Sequence, residues 1–507
     1  MDIPRPKNLV VVLLDSLNRH MLEAYGGTEF TTPNIAGFAQ GALRFTGHHA
    51  GSLPCMPARH DILVGALDFP WRPWGSIEAW EDAITRALRA RGVTTMLVSD
   101  HPHLFETGGE NYHCDFNAWL YERGHESDPW RTTPDPSWLG APTLPVQRAD
   151  LPHAYDISRT YFRAEEEFPG PKTMSAAANW IRTSAPSHEQ FFLFVDEFDP
   201  HEPFDTPLPY ADMYDPDWDG PRVIWPPYLV EAVASGQLHP RTARHLRANY
   251  GAKLTMIDHW FGLLLAAIDD AGLTDSTGVV LCTDHGHYLG EHDIFGKPDA
   301  PVYGELGRIP LLIRWPGQSP RDIGALTTSV DLHATITELF GAVITHPVHG
   351  RSLIPLIEDS ATSVRQLALF GYWGRHVGIT DGRLRYLRGC GEANFPLSMW
   401  SNRWSTMPIP AFPQFRLPRP DGRATLARMP GTEVPVIRQP FEPGDRLPFW
   451  AGHLPPSESH LFDIDVDPAE LEDRTGTPDE GEMLDALAAM LREISAPDDL
   501  LERVGVA

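Results

Sequence analysis

The 507-residue chain carries 68 Asp and Glu against 41 Lys and Arg, a net charge of −27 that disfavours nucleic acid and anionic membranes as partners. Its four cysteines are too few for a disulfide framework, and no apolar run approaches membrane-spanning length. The length suffices for a large domain plus a smaller one, and 49 prolines, about twice the usual 5%, point to many ordered loops.

The opening residues, Met-Asp-Ile-Pro-Arg-Pro-Lys, show no signal-peptide cleavage pattern, and Asp15 ends the short apolar run after them, so a cytoplasmic protein is expected. Residues 8–14, Asn-Leu-Val-Val-Val-Leu-Leu, have the continuous apolar character of a strand buried on both faces. Comparable runs end near residues 98, 195 and 283. The four ends carry Asp15; Asp100 and His101; Asp196, Asp199 and His201; and Asp284 and His285. One Asp after a strand is ordinarily a turn or a cap. Four such ends point to a site, because ligands gather at that edge of open α/β sheets.

Residues 77–91, 172–185 and 241–272 show helical apolar spacing between these strands, so the alternation predicts a doubly wound sheet. Segments 124–160 and 199–228, rich in Pro, Asp and Trp, read as long loops. Residues 367–388 hold short strand patterns, and 481–494 is amphipathic. We expect a catalytic α/β domain over 1–365 and a smaller α+β domain over 366–507.

Residues 51–65, Gly-Ser-Leu-Pro-Cys-Met-Pro-Ala-Arg-His-Asp-Ile-Leu-Val-Gly, place Cys55 at a helix start with Arg59 one turn on. Free backbone N–H groups and the helix dipole favour an anion there, and Arg59 can hold an oxyanion by two parallel hydrogen bonds. A lone cysteine at such a place is ordinarily a small buried apolar residue. Here, however, Cys-Met-Pro-Ala-Arg resembles the Cys-x-Pro-x-Arg signature of type I sulfatases, in the alkaline phosphatase superfamily. The resemblance implies that a formylglycine-generating enzyme oxidises Cys55 to formylglycine. One hydroxyl of the hydrated aldehyde would attack sulfur, and the other would expel sulfate.

Residues 283–297, from Thr-Asp-His-Gly to Phe-Gly-Lys, closely resemble the family's second signature. Carried over, Asp15, Cys55, Asp284 and His285 hold the metal, and Lys297 contacts the sulfate. Such donors suit one divalent ion, Ca²⁺ ahead of Mg²⁺ or Mn²⁺. Many sulfatases carry an acid or amide directly after the first ligand, where this chain has Ser16; Ser16 or Asn18 could take that place. Residues 199–204, Asp-Pro-His-Glu-Pro-Phe, resemble the family's Asp-Pro-His-x-Pro-Phe, which assigns His201 to protonating the leaving oxygen. The usual Gly-Lys-Trp-His-Leu-Gly segment is missing. Residues 99–106, Ser-Asp-His-Pro-His-Leu-Phe-Glu, resemble instead a bacterial subgroup that is arylsulfatase A-like and N-sulfoglucosamine sulfohydrolase-like. His101 or His103 would replace the lysine as anion donor.

The resemblance implies an alkaline phosphatase-like fold: a large doubly wound mixed sheet flanked by helices, then a short antiparallel sheet with a helix. It implies hydrolysis of an aryl, alkyl or carbohydrate sulfate ester. The alternative is a phosphonate monoester hydrolase or phosphodiesterase using the same nucleophile and metal. The complete residue set argues against a non-catalytic binding module. The resemblance has gaps at 120–185 and 390–455. Trp130, Trp400 and Trp404 lie in them and Trp119 at an edge, as candidates for stacking on substrate. Homo-oligomerisation is left open.

Overall fold

The computed structural model describes residues 5–143, 152–390, 394–405, 420–448 and 458–507. The main sheet has eight strands: β1 (Asn8–Leu14), β2 (Leu43–Phe45), β3 (Thr94–Ser99), β4 (Ala118–Tyr121), β5 (Phe191–Glu197), β6 (Thr277–Cys282), β7 (Leu311–Arg314) and β8 (Arg321–Ile323). Their spatial order is β8-β2-β7-β6-β1-β5-β3-β4. β1 pairs in parallel with β5 and β6, and β3 with β4 and β5. β7 runs antiparallel to both its neighbours, which makes the sheet mixed.

β1 is buried throughout because its alternating side chains enter two different cores. Val10, Val12 and Leu14 pack with Met174, Leu254 and Phe261 from helices Pro169–Thr183 and Pro240–Asp270. Leu9, Val11 and Leu13 pack with Ile62, Leu88 and Ile336 from helices Cys55–Val64, Ile84–Ala90 and Val330–Phe340. Burial on both faces is why the strand reads as an unbroken apolar run.

The helix expected over 77–91 is shorter, Ile84–Ala90. The residues before it are drawn into a buried ion network instead, with Glu78 on Arg72 and Glu81 on His60. A four-stranded antiparallel sheet joins Ala368–Gly371, Val377–Thr380, Leu384–Arg388 and His460–Asp463. Helix Pro478–Glu493 packs Met483, Leu487 and Leu491 into the core of that sheet. A further antiparallel sheet of Leu397–Ser401, Thr425–Arg428 and Pro435–Phe441 was not expected from the sequence. Its edge strand Thr425–Arg428 is mostly exposed and has no apolar run to betray it. Among the described residues, no helix is long and apolar enough to cross a membrane.

The sheet's central order brings the C-terminal ends of β6, β1, β5 and β3 side by side. Leu13 stands at that edge, in register with Asp196 on one side and Cys282 on the other, and is fully buried. Leu13→Ala is expected to lower the unfolding free energy by about 2–5 kcal/mol, measured by urea denaturation. Leu426→Ala, at an 81% exposed position, is the control expected to change it by no more than about 0.5 kcal/mol.

Candidate active site

Cys55 is the first residue of helix Cys55–Val64. The loop before it is pinned to the same helix, because Asp61 accepts hydrogen bonds from Ser52 N at 2.6 Å and Ser52 Oγ at 2.8 Å. Asp15 follows β1, Asp196 lies near the end of β5, and Asp284 and His285 follow β6 by way of Thr283. Gly286 allows the close turn there, since a Cβ on it would lie 1.8 Å from the Glu305 carbonyl oxygen. One donor atom from each of Asp15, Cys55, Asp284 and His285 lies within 4.8 Å of the others, and all four residues are buried.

Arg59 stands at the centre of this group. Its Nε and Nη2 donate to the two oxygens of Asp196 at 2.8 and 2.6 Å. Nη1 donates to Asp284 Oδ2 at 2.8 Å and to the Cys55 carbonyl at 3.1 Å. Nη2 also lies 3.0 Å from Asp15 Oδ2. The sequence points Arg59 at an oxyanion; in the structure every guanidinium nitrogen is engaged by these carboxylates and the Cys55 carbonyl.

The donor set fits a divalent cation. Asp15 Oδ2 is buried without an aligned hydrogen bond, despite the nearby guanidinium. Burial and then Asp284 push Asp15 above the usual carboxylate range. Asp284 is held below that range; burial opposes its ionisation, but His285 and Arg59 outweigh it. Burial lowers His285 to about 4 against the pull of Asp284, so its imidazole is neutral at neutral pH. Its Nδ1 donates to the Gly286 carbonyl at 2.8 Å, which leaves the Nε2 lone pair 3.2 Å from Cys55 Sγ. Burial and Asp15 push the Cys55 thiol well above its ordinary value. Ser16 donates to Asp15 Oδ1 at 2.8 Å and receives Lys297 Nζ at 3.2 Å, so it bridges the lysine to the carboxylate. Asn18 is used elsewhere, donating to the His287 carbonyl and capping the turn at His20.

The histidines separate by environment. His201 Nδ1 donates to the Glu202 carbonyl at 2.7 Å, and its ring stacks on Phe198. Burial holds His201 well below its usual range, although Glu202 opposes this. His101 is buried with neither ring nitrogen hydrogen-bonded, and its Nε2 lies 3.6 Å from Asp15 Oδ2. His103 does not match the expectation of a free anion donor. Its Nδ1 lies 2.5 Å from Glu106 and its Nε2 3.2 Å from Glu126, so carboxylates take both nitrogens. Burial disfavours its charge, but Glu106 and Glu126 prevail and raise it to about 10.

Of the tryptophans, Trp130 packs on Phe162 and Tyr161, while Trp404 packs against the cluster holding Trp373 and Phe441. Trp400 lines a cavity with Trp71 and Trp80, and Trp119 is 48% exposed.

Two features of the site escaped the sequence reading. Asp196 was visible as a strand-end acid, but not as the bidentate partner of Arg59. Glu202, inside the His201 motif, faces Lys297, His287 and Tyr228. Only its motif position could have flagged it.

The Sulfatase family profile matches residues 7–342. A multifunctional alkaline phosphatase superfamily protein of Trinickia caryophylli is 24% identical over 70% of this chain and 78% of its own length. Human iduronate 2-sulfatase is 26% identical over 62% of this chain and 60% of its own length. Among solved structures, a phosphonate monoester hydrolase from Silicibacter pomeroyi superposes with a TM-score of 0.66 at 20% identity, covering 98% of this chain and 96% of that one. The fold is therefore the alkaline phosphatase-like one.

Two outcomes follow from the electrostatics. Asp284→Asn is expected to weaken binding of a divalent cation by about tenfold or more in calorimetry, because carboxylate charge supplies much of a hard-ion site. His103, raised from 6.5 to about 10, contributes stability that is fully present below pH 6.5 and fades as pH rises toward 10. The stability gap between wild type and His103→Gln should therefore close across that window in denaturant titrations.

Proposed function

The chain belongs to the sulfatase family, and from that premise we propose that it hydrolyses an organic sulfate ester through a nucleophile derived from Cys55. The observation that carries this reading is the meeting of Asp15, Cys55, Asp284 and His285 at one buried point beside Lys297 and Arg59. Asp15, Asp284, His285 and the modified Cys55 side chain would hold one divalent ion, Ca²⁺ first, which when bound lowers the pKa of a ligating hydroxyl and polarises an ester oxygen.

A buried neutral thiol is a poor nucleophile, since the thiolate is the reactive form. Oxidation of Cys55 to formylglycine by a maturation enzyme removes that difficulty by supplying a hydrated aldehyde. The helix N-terminus beneath it favours negative charge on the attacking oxygen. Arg59, held by Asp196, keeps the Asp15 and Asp284 oxygens converged. Lys297, buried and kept charged by Glu202 against desolvation, neutralises a sulfate oxygen. His201 uses Nδ1 on the Glu202 carbonyl and so presents Nε2 as a lone pair. In its neutral state it would accept at Nε2 the proton lost by the attacking hydroxyl and pass it to the departing ester oxygen as the sulfur–oxygen bond breaks. His101 is the neighbouring imidazole with both nitrogens unengaged.

Hydrolysis of a phosphonate monoester or phosphodiester at the same site is the second reading. It is supported by the fold shared with the Silicibacter enzyme. The ratio of aryl sulfate to aryl phosphonate turnover decides between the two.

Cys55→Ala should abolish turnover, and Cys55→Ser should stop multiple turnover while allowing at most one stoichiometric sulfation. His201→Ala should slow alkyl and sugar sulfates by about 10²–10⁴-fold. It should slow nitrophenyl sulfate far less, so log rate falls more steeply with leaving-group pKa. An equal loss across leaving groups would move His201 out of the proton-transfer role.

A further inference from the structure

Glu202 is a buried carboxylate that the chemistry above uses only to keep Lys297 charged. Its Oε1 accepts from the Tyr228 hydroxyl at 2.5 Å. Its Oε2 lies 3.2 Å from His287 Nε2, 3.4 Å from His201 Nδ1 and 3.8 Å from Lys297 Nζ. Burial disfavours its charge, but its neighbours, Lys297 and the His287 hydrogen bond among them, hold it ionised, below the usual carboxylate range. A negative charge thus stands 3.8 Å from the ammonium assigned to the substrate anion. Arg59 cannot make up the difference, because Asp15, Asp196 and Asp284 already surround it.

We propose that Glu202 is a specificity-determining residue whose charge, set against Lys297, restricts the site to singly charged esters and rejects doubly charged ones. This rests on the assignment of Lys297 to the substrate anion. Sulfate esters and phosphonate monoesters carry one negative charge at neutral pH. A phosphate monoester carries close to two above its second pKa of about 6. Each further charge on the substrate is drawn to Lys297 and repelled by Glu202. At an effective dielectric of about 20, one such repulsion over several ångströms exceeds tenfold in an equilibrium. Glu202→Gln keeps the shape and the acceptor for Tyr228 while removing the charge. Glu202→Asp keeps the charge.

The test compares 4-nitrophenyl sulfate, 4-nitrophenyl phenylphosphonate and 4-nitrophenyl phosphate at pH 8 with Ca²⁺-loaded protein. Glu202→Gln should lower the monoanion-to-dianion ratio of kcat/KM at least tenfold, and Glu202→Asp should keep the wild-type ratio. A residue that merely braces the fold would lower all three rates together and leave the ratio unchanged, which overturns the proposal. A second arm measures binding of phenyl sulfate and phenyl phosphate to Ca²⁺-loaded Cys55→Ala protein by calorimetry, with and without Glu202→Gln, or with Glu202→Ala should the Gln variant not fold. Tighter phenyl sulfate binding with Glu202, and a tenfold or larger shift toward phenyl phosphate without it, is expected. Equal binding of the two anions with Glu202 present, no shift, or no binding of either overturns the proposal. Failure of all three esters to turn over would sink the hydrolytic reading, while the binding ratio would still decide the role of Glu202.

Discussion

Arg59 lies with no exposure among Asp15, Asp196 and Asp284, themselves fully buried, and the rest of the site depends on that contact. Ionised carboxylates removed from water must find compensating charge, protonate or move apart. Here the guanidinium supplies one positive charge and the donor set invites a divalent cation for the remainder. Removing one partner of a buried ion pair costs about 3–5 kcal/mol, so Arg59 is a structural requirement of this cluster. The arrangement also couples fold to chemistry. The helix that presents Cys55 presents Arg59 one turn later, and adjacent parallel strands deliver the three acids. A shift of that helix would separate the sulfur and the carboxylates together.

The sequence revealed the parts of the site that follow from one-dimensional features. Asp15, Asp284 and His285 follow apolar strands, and Cys55 begins a helix; ends of elements can be read from periodicity and composition. What it concealed was partnership. Arg59 meets Asp196 and Asp284 at separations of 137 and 225 residues, and nothing in the local pattern distinguishes that from an arginine facing substrate. His103 sits in the segment resembling a bacterial sulfatase subgroup, but Glu126, from a segment read as loop, claims one of its nitrogens. Strands β1, β3, β5 and β6 were legible because burial on both faces forces apolar runs. The sheet ending in Pro435–Phe441 was not, because its exposed edge strand is only four residues long with no apolar run, and Pro435 and Pro440 interrupt its pattern.

Environment also divides residues of one type into different roles. Burial keeps His101, His201 and His285 neutral, each able to offer a lone pair. Two carboxylates keep His103 charged, and there it acts as an ionic strut. The same logic separates the acids: Asp284 beside Arg59 and Glu202 beside Lys297 are held below the usual carboxylate range, while burial and Asp284 push Asp15 above it despite Arg59. Around this centre the chain carries a net charge of −27, so an anionic ester must be drawn in by local rather than global charge.

The central claim is that Cys55 is a precursor rather than the working nucleophile, and mass spectrometry of the peptide containing Cys55 tests it most directly. Protein purified from its native cells and active on an aryl sulfate should show that peptide with its thiol replaced by an aldehyde, in proportion to specific activity. Protein with full activity and an unmodified Cys55 thiol would contradict the account.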